Sequence, residues 1–239
     1  MEQCQRTFMV VAFIALSFFC LLPWVTQALA GCCDKWEGIP AVTMKVPGQA
    51  KSQGAKNEKS KQEGCKHAEN VTLGFGDLEK YHGHICPGIA LGYRATLVAL
   101  AHLYPGEIPP RGDQFVVSGI PRACPAEAIS YITGARYGKG SEGAFNGNLA
   151  LDKSIGDSCY VFAGMTSGKA IKLTTTFQFP KEIEALKVKK NTDPEAKAQY
   201  ETMFRSTLTQ ILTAPEKEVF TVTPMEDFAW KEYKENYLK

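Results

Sequence analysis

The stretch Tyr81 to Thr96, YHGHICPGIALGYRAT, sets two of the chain's four histidines within five residues of a cysteine. His82, His84 and Cys86 are spaced i, i+2, i+4. On an extended segment three such side chains share one face. Gly83, between the histidines, lets the backbone bend so that both rings converge. Imidazole nitrogen and thiolate sulfur are standard zinc ligands, at about 2.0–2.3 Å. The pair Cys86-Pro87 opens an apolar run, and Cys124-Pro125 repeats that start further on. A cysteine just before a helix sits at the N-cap, where orphan N–H groups and the positive end of the helix dipole stabilise a thiolate. The pattern predicts a soft metal site of His82, His84 and Cys86, with Cys124 as a fourth ligand from a second helix. The rival reading, surface histidines beside a core cysteine, does not account for the repeated Cys-Pro start.

Other reactive residues read differently. Cys159 lies in the apolar run DSCYVFAG and is expected in the core. His102 is expected to pack within its helix. Cys33, Cys65 and His67 flank a polar stretch, where a Cys33–Cys65 disulfide or plain disorder is favoured over metal. The loop YGKGSEG (Tyr137 to Gly143) offers backbone N–H groups to an anion, with Lys139 adding charge. It lacks the G-K-[ST] ending of a nucleotide-binding P-loop.

The elements that must position these groups follow from periodicity. Pro87 to Tyr104 is the clearest helix, with Ile89, Ala90, Tyr93, Leu97, Leu100 and Ala101 at helical spacing and proline at its first position. Pro125 to Gly134 reads as a short helix with Glu127 in its first turn. Gln114 to Ile120 is a strand candidate. Asp157 to Gly164 and Lys169 to Phe179 read as strands paired around MTSG. Asp193 and Pro194 start another helix, Glu218 to Met225 is a further strand, and EDFAWKEYKENYLK closes as an amphipathic helix. Helices and strands mix without strict alternation, which argues for an α+β class with an antiparallel-rich sheet.

The chain has 239 residues, 44% hydrophobic and 22% charged, with a net charge of +2, enough for one sizeable core. No basic patch stands out, so nucleic acid is not an expected partner. Phe8 to Leu22 carries no charge and is short for a membrane span, as in a signal peptide. Ala28-Leu29-Ala30 offers a cleavage site before Gly31. Leu29-Ala30-Gly31-Cys32 also reads as a lipobox, in which Cys32 would be lipidated and tether the chain to a membrane. The expected organisation is a signal at 1–31, a flexible, lysine-rich tether at 32–66, and one domain at 67–239. The expected location is outside the bacterial cytoplasm, either free in the periplasm or anchored as a lipoprotein. Loss of the signal removes Cys4 and Cys20 and leaves six cysteines, for which disulfides are the default in an oxidising compartment.

HGHICPGIALGYRA followed by ACPAEAISYITGARYGKGS resembles the FmdE family of formylmethanofuran dehydrogenase. That family's first motif, close to H-G-H-x-C-P-G-x-x-x-G-Y-R, is matched from His82 to Arg94. Its second, like C-x-x-D-A-I-Q…T-G-C-T-x-G-K-G-N, is matched at Cys124, Ala128, Ile129, Thr133, Gly134, Gly138, Lys139 and Gly140. The chain departs from it at Glu127, which keeps a carboxylate where the family has aspartate, and at Ser130, Ala135 and Ser141. Ala135 stands where the family has a cysteine. The resemblance covers roughly Leu73 to Phe179. It implies an α+β core domain and a metal, zinc before others. The family's C-terminal zinc-finger appendage has no counterpart, because no cysteine follows Cys159.

The family name transfers no reaction. Three readings follow. In the first, an exported FmdE-like domain binds a metal ion, with Glu127 as a supporting or general-base carboxylate and Lys139 as a contact for an anionic small molecule. In the second, it is a metal carrier or chaperone that catalyses nothing. In the third, Cys86 and Cys124 are a thiol redox pair. Zinc is the expected ion, and copper also suits a soft site. A second copy of the chain, in a homodimer, is a further expected partner.

Overall fold

The computed structural model describes residues 36–46, 69–120, 122–138 and 147–238. A two-stranded ribbon, β1 (Val42–Lys45) and β2 (Asn70–Leu73), leads into helices α1 (Phe75–His82) and α2 (Pro87–Leu103). Then come β3 (Gln114–Ser118), α3 (Ala123–Thr133), β4 (Leu149–Leu151) and the hairpin β5 (Cys159–Gly164) and β6 (Ala170–Thr175). Helices α4 (Glu182–Lys189), α5 (Pro194–Thr213) and α6 (Glu216–Val219), strand β7 (Phe220–Pro224) and helix α7 (Trp230–Leu238) complete the order. The class is α+β, as expected. Among the described residues, no helix is long and apolar enough to cross a membrane.

The main sheet runs β4-β3-β5-β6-β7. Every pairing is antiparallel except β3 with β4. Its two inner strands, β3 and β5, are buried along their whole length, so alternate side chains feed two cores. Val116, Tyr160 and Phe162 face the larger core with α2. Phe115, Val117, Val161 and Ala163 face a smaller one, covered by Phe228, Trp230, Tyr233 and Tyr237 from the C-terminal segment.

Helix α2 is buried over most of its circumference, as an all-round apolar helix must be. It packs on α3, α5 and the sheet. On the α3 side it carries Gly88 and Gly92, one helical turn apart. A Cβ added at Gly92 would lie 2.3 Å from the Pro125 carbonyl oxygen, and one at Gly88 would lie 3.0 Å from the Cys124 Cβ. The two helices approach this closely because nothing projects from either glycine. The far end of α3 is held by Arg111, which donates from Nε to the Ile132 carbonyl (3.1 Å) and from Nη2 to the Tyr131 carbonyl (2.8 Å). A cation on those orphan carbonyls also complements the helix dipole.

The ordered domain starts earlier than the sequence suggested. Residues 36–46, assigned to a tether, pack on α1 and α2. Met44 is fully buried, the Trp36 ring meets Phe75 edge-on at 4.8 Å, and the Tyr93 hydroxyl donates to the Pro40 carbonyl at 2.5 Å. Met44, Trp36 and Ile39 supply apolar surface that the lysine-rich stretch after them lacks. Residues 47–68, the rest of the tether with Cys65 and His67, lie outside the described residues, as does the signal and lipobox region with Cys32 and Cys33.

Gly92→Ala places a methyl group against backbone that cannot rotate away. It should destabilise the chain by about 1–3 kcal/mol, the usual range for overpacking. Thermal unfolding followed by circular dichroism should show a lowered Tm for Gly92→Ala, whereas Ala101→Ser on the exposed side of α2 should leave it unchanged.

Candidate metal centre

The sequence predicts an extended run for His82, His84 and Cys86, and the structure replaces it with a turn between two helices. His82 is the last residue of α1, Gly83 caps that helix with φ +84°, and Cys86 is the N-cap of α2. The correction leaves the convergence intact. A left-handed C-cap, which glycine adopts without Cβ strain, reverses the chain and folds His84 back on His82. Their ring centroids are 4.4 Å apart. One ligand atom from each of His82, His84 and Cys86 lies within 4.8 Å of the other two.

His82 is held most firmly. Its side chain is 10% exposed and its Nδ1 lies 2.5 Å from Glu127 Oε2, in the first turn of α3. A carboxylate only accepts, so Nδ1–H is the donor and Nε2 carries the lone pair. That Nε2 is buried and has no hydrogen-bond partner. A carboxylate–imidazole pair with the second ring nitrogen left open is the arrangement that orients metal-ligating histidines. His84 is exposed and Cys86 is half-buried.

Cys124 is the second correction. Helix α3 begins at Ala123 with Arg122 as its N-cap, so Cys124 sits inside the first turn instead of before it. Pro125 is accommodated there because first-turn N–H groups need no intrahelical acceptor. Cys124 is not in the group of three that lies within 4.8 Å, but its thiol is hydrogen-bonded to that of Cys86. Burial, and then that hydrogen bond, push the Cys124 thiol up. The low-pKa thiol expected from the helix start is therefore not found at this position. Burial and the neighbouring sulfur outweigh the helix dipole.

Lys139 and residues 139–146 of the glycine-rich loop lie outside the described residues. Cys159 is buried in β5, as expected, with its Sγ 3.5 Å from Thr174 Oγ1. His102 is not packed as expected. Its side chain is 41% exposed and pairs with Glu216 at 3.0 Å, because the last turn of α2 emerges from the core. The sequence reading missed the aromatic neighbours: Tyr81 is exposed and its ring lies 5.1 Å from that of Tyr131. The signal for them was the tyrosine directly before His82.

A family model described as FmdE, Molybdenum formylmethanofuran dehydrogenase operon, matches residues 81–221, more than half of the chain. The chain belongs to the FmdE family. Among solved structures, it is similar to an FmdE-like protein of tungsten formylmethanofuran dehydrogenase from Syntrophus aciditrophicus. The identity is 14% and the TM-score 0.39, over 64% of this chain and 72% of that one. No curated protein matches. The matched span of this FmdE chain includes His82, His84, Cys86, Cys124 and Glu127 together.

Glu127→Gln keeps the shape of the side chain and removes the charge that fixes the His82 tautomer. Zinc affinity measured by competition with a chromophoric chelator should fall about 10–100-fold, the usual effect of losing such a partner. Unchanged affinity would mean that the Glu127–His82 contact does not orient a ligand.

Proposed function

We propose that this FmdE-family protein binds one soft divalent metal ion, zinc before copper, through His82, His84, Cys86 and Cys124. The observation that carries the reading is the buried, unpartnered Nε2 of His82, whose Nδ1–H is committed to Glu127. A buried nitrogen lone pair with no donor is costly unless something binds it, and a cation does so. Two imidazoles and two thiols are a donor set typical of zinc. Zinc at such a site supplies structural cross-linking or, with a position left open, Lewis acidity. His82 and His84 are set to donate nitrogen, and Cys86 sulfur. Cys124 reaches the group through its contact with Cys86, and Glu127 holds the His82 ring in place. Lys139, in the loop that follows α3, is proposed as the contact for an anionic small molecule.

We also carry forward the export reading, in which the apolar stretch from Phe8 to Leu22 is a signal and processing leaves Gly31 or Cys32 at the N-terminus. The tether then comprises residues between β1 and β2. Intact mass of the protein from its native host tests this, since a retained Met1 would remove the export proposal and leave the metal site untouched.

A second reading, a thiol redox protein, is favoured by one observation only, the hydrogen bond between Cys86 and Cys124. Elemental analysis of the full chain after zinc loading separates the two. One zinc per chain is expected, lost in Cys86→Ser and in His82→Ala and kept in Cys159→Ser. A full equivalent retained at unchanged affinity by Cys86→Ser would place the metal elsewhere.

A further inference from the structure

The Cys86 and Cys124 thiols meet at the one place where α2 carries no side chain. A Cβ built on Gly88 would lie 3.0 Å from Cys124 Cβ and 3.7 Å from Cys86 Sγ. Both residues flank that point from helix starts, Cys86 as the N-cap of α2 and Cys124 from the first turn of α3. Their thiols are in hydrogen-bond contact, and each residue is only half-buried. The third cysteine among the described residues, Cys159, is buried in the sheet and bonded to Thr174. Two accessible thiols in contact are a dithiol as well as a ligand pair, and one sulfur cannot serve as thiolate ligand and disulfide partner at once.

We propose that Cys86 and Cys124 form a redox switch on metal occupancy: peroxide closes them into a disulfide, and the disulfide excludes the metal. The inference rests on the metal-binding reading above. In the oxidation, one sulfur attacks a peroxide oxygen and the O–O bond breaks, giving a sulfenic acid and one water. The second thiol then displaces the sulfenic oxygen, which leaves as a second water with the second thiol's proton. Two thiols lose two electrons, and one hydrogen peroxide gains them. A bound cation occupies both sulfurs and shields them from peroxide. The disulfide takes away two anionic donors and leaves His82 and His84 alone, too few for a stable soft-metal site. A thiol reductant restores both sulfurs and with them the site.

The test uses the full chain, reduced and metal-free, with hydrogen peroxide and zinc as probes. Peptide mapping under non-reducing conditions should find a Cys86–Cys124 link in the metal-free chain and none in the zinc-loaded chain at the same peroxide dose. The oxidised chain should hold no stoichiometric zinc, and dithiothreitol should return the full equivalent. Cys159→Ala should behave as the unaltered chain in every arm. If the reduced chain binds no zinc, the metal-binding reading falls and takes this inference with it. If the reduced chain binds zinc, two results overturn the inference alone. One is a Cys86–Cys124 link that leaves zinc affinity unchanged. The other is consumption of thiols by peroxide without that link.

Discussion

The site depends on how closely α2 and α3 pack. At Gly92 there is no room for even a methyl group before the Pro125 carbonyl, and at Gly88 the neighbour is Cys124 itself. Packing at this distance gains dispersion contacts over both backbones, and it has a chemical consequence. The start of α3 is pressed against the start of α2, so Cys124 meets Cys86 and Glu127, one turn further along, reaches back to His82. Helices spaced by larger side chains would separate all of these groups. Arg111 at the other end of α3 fixes that helix lengthwise through the Tyr131 and Ile132 carbonyls.

The second constraint is the turn at Gly83. Because α1 ends at His82 and the next residue is left-handed, the two histidines stack instead of diverging. The ribbon β1–β2 and residues 36–40 seat α1 from its outer side, with Trp36 against Phe75 and its indole N–H directed to Glu79 at 3.4 Å. The apolar segment before the lysine-rich stretch thus has a clear structural task, to hold the helix that ends in the buried histidine. The main sheet lies behind α2 and offers a rigid platform buried on both faces. None of the proposed ligands comes from a strand.

Much of this was legible in the sequence where the local signal was strong. Helices α2 and α5 announced themselves by period, proline starts and, for α5, the Asp193 cap, whose carboxylate accepts from the Glu195 and Ala196 N–H groups. The hairpin of β5 and β6 was visible as two β-branched and aromatic runs around a short turn. Helix α1 was not, because Gly74 and Gly76 mask its start and its stability comes from burying Phe75 and Leu78 against distant residues. Strand β4 is three residues long and owes its form to pairing with β3. At the site, the residue types were readable but the backbone was not. An H-x-H-x-C spacing suits an extended face, and only the φ of Gly83 shows that a helix end and a turn do the work. The elevated thiol of Cys124 is a tertiary effect of burial and of Cys86, which no local motif encodes.

The ligand set is the central claim, and zinc K-edge X-ray absorption of the loaded, reduced chain examines it most directly. Two sulfurs at about 2.3 Å and two nitrogens at about 2.0–2.1 Å are expected, from Cys86 and Cys124 and from His82 and His84. A first shell made only of nitrogen and oxygen would contradict the account, since neither cysteine would then touch the metal.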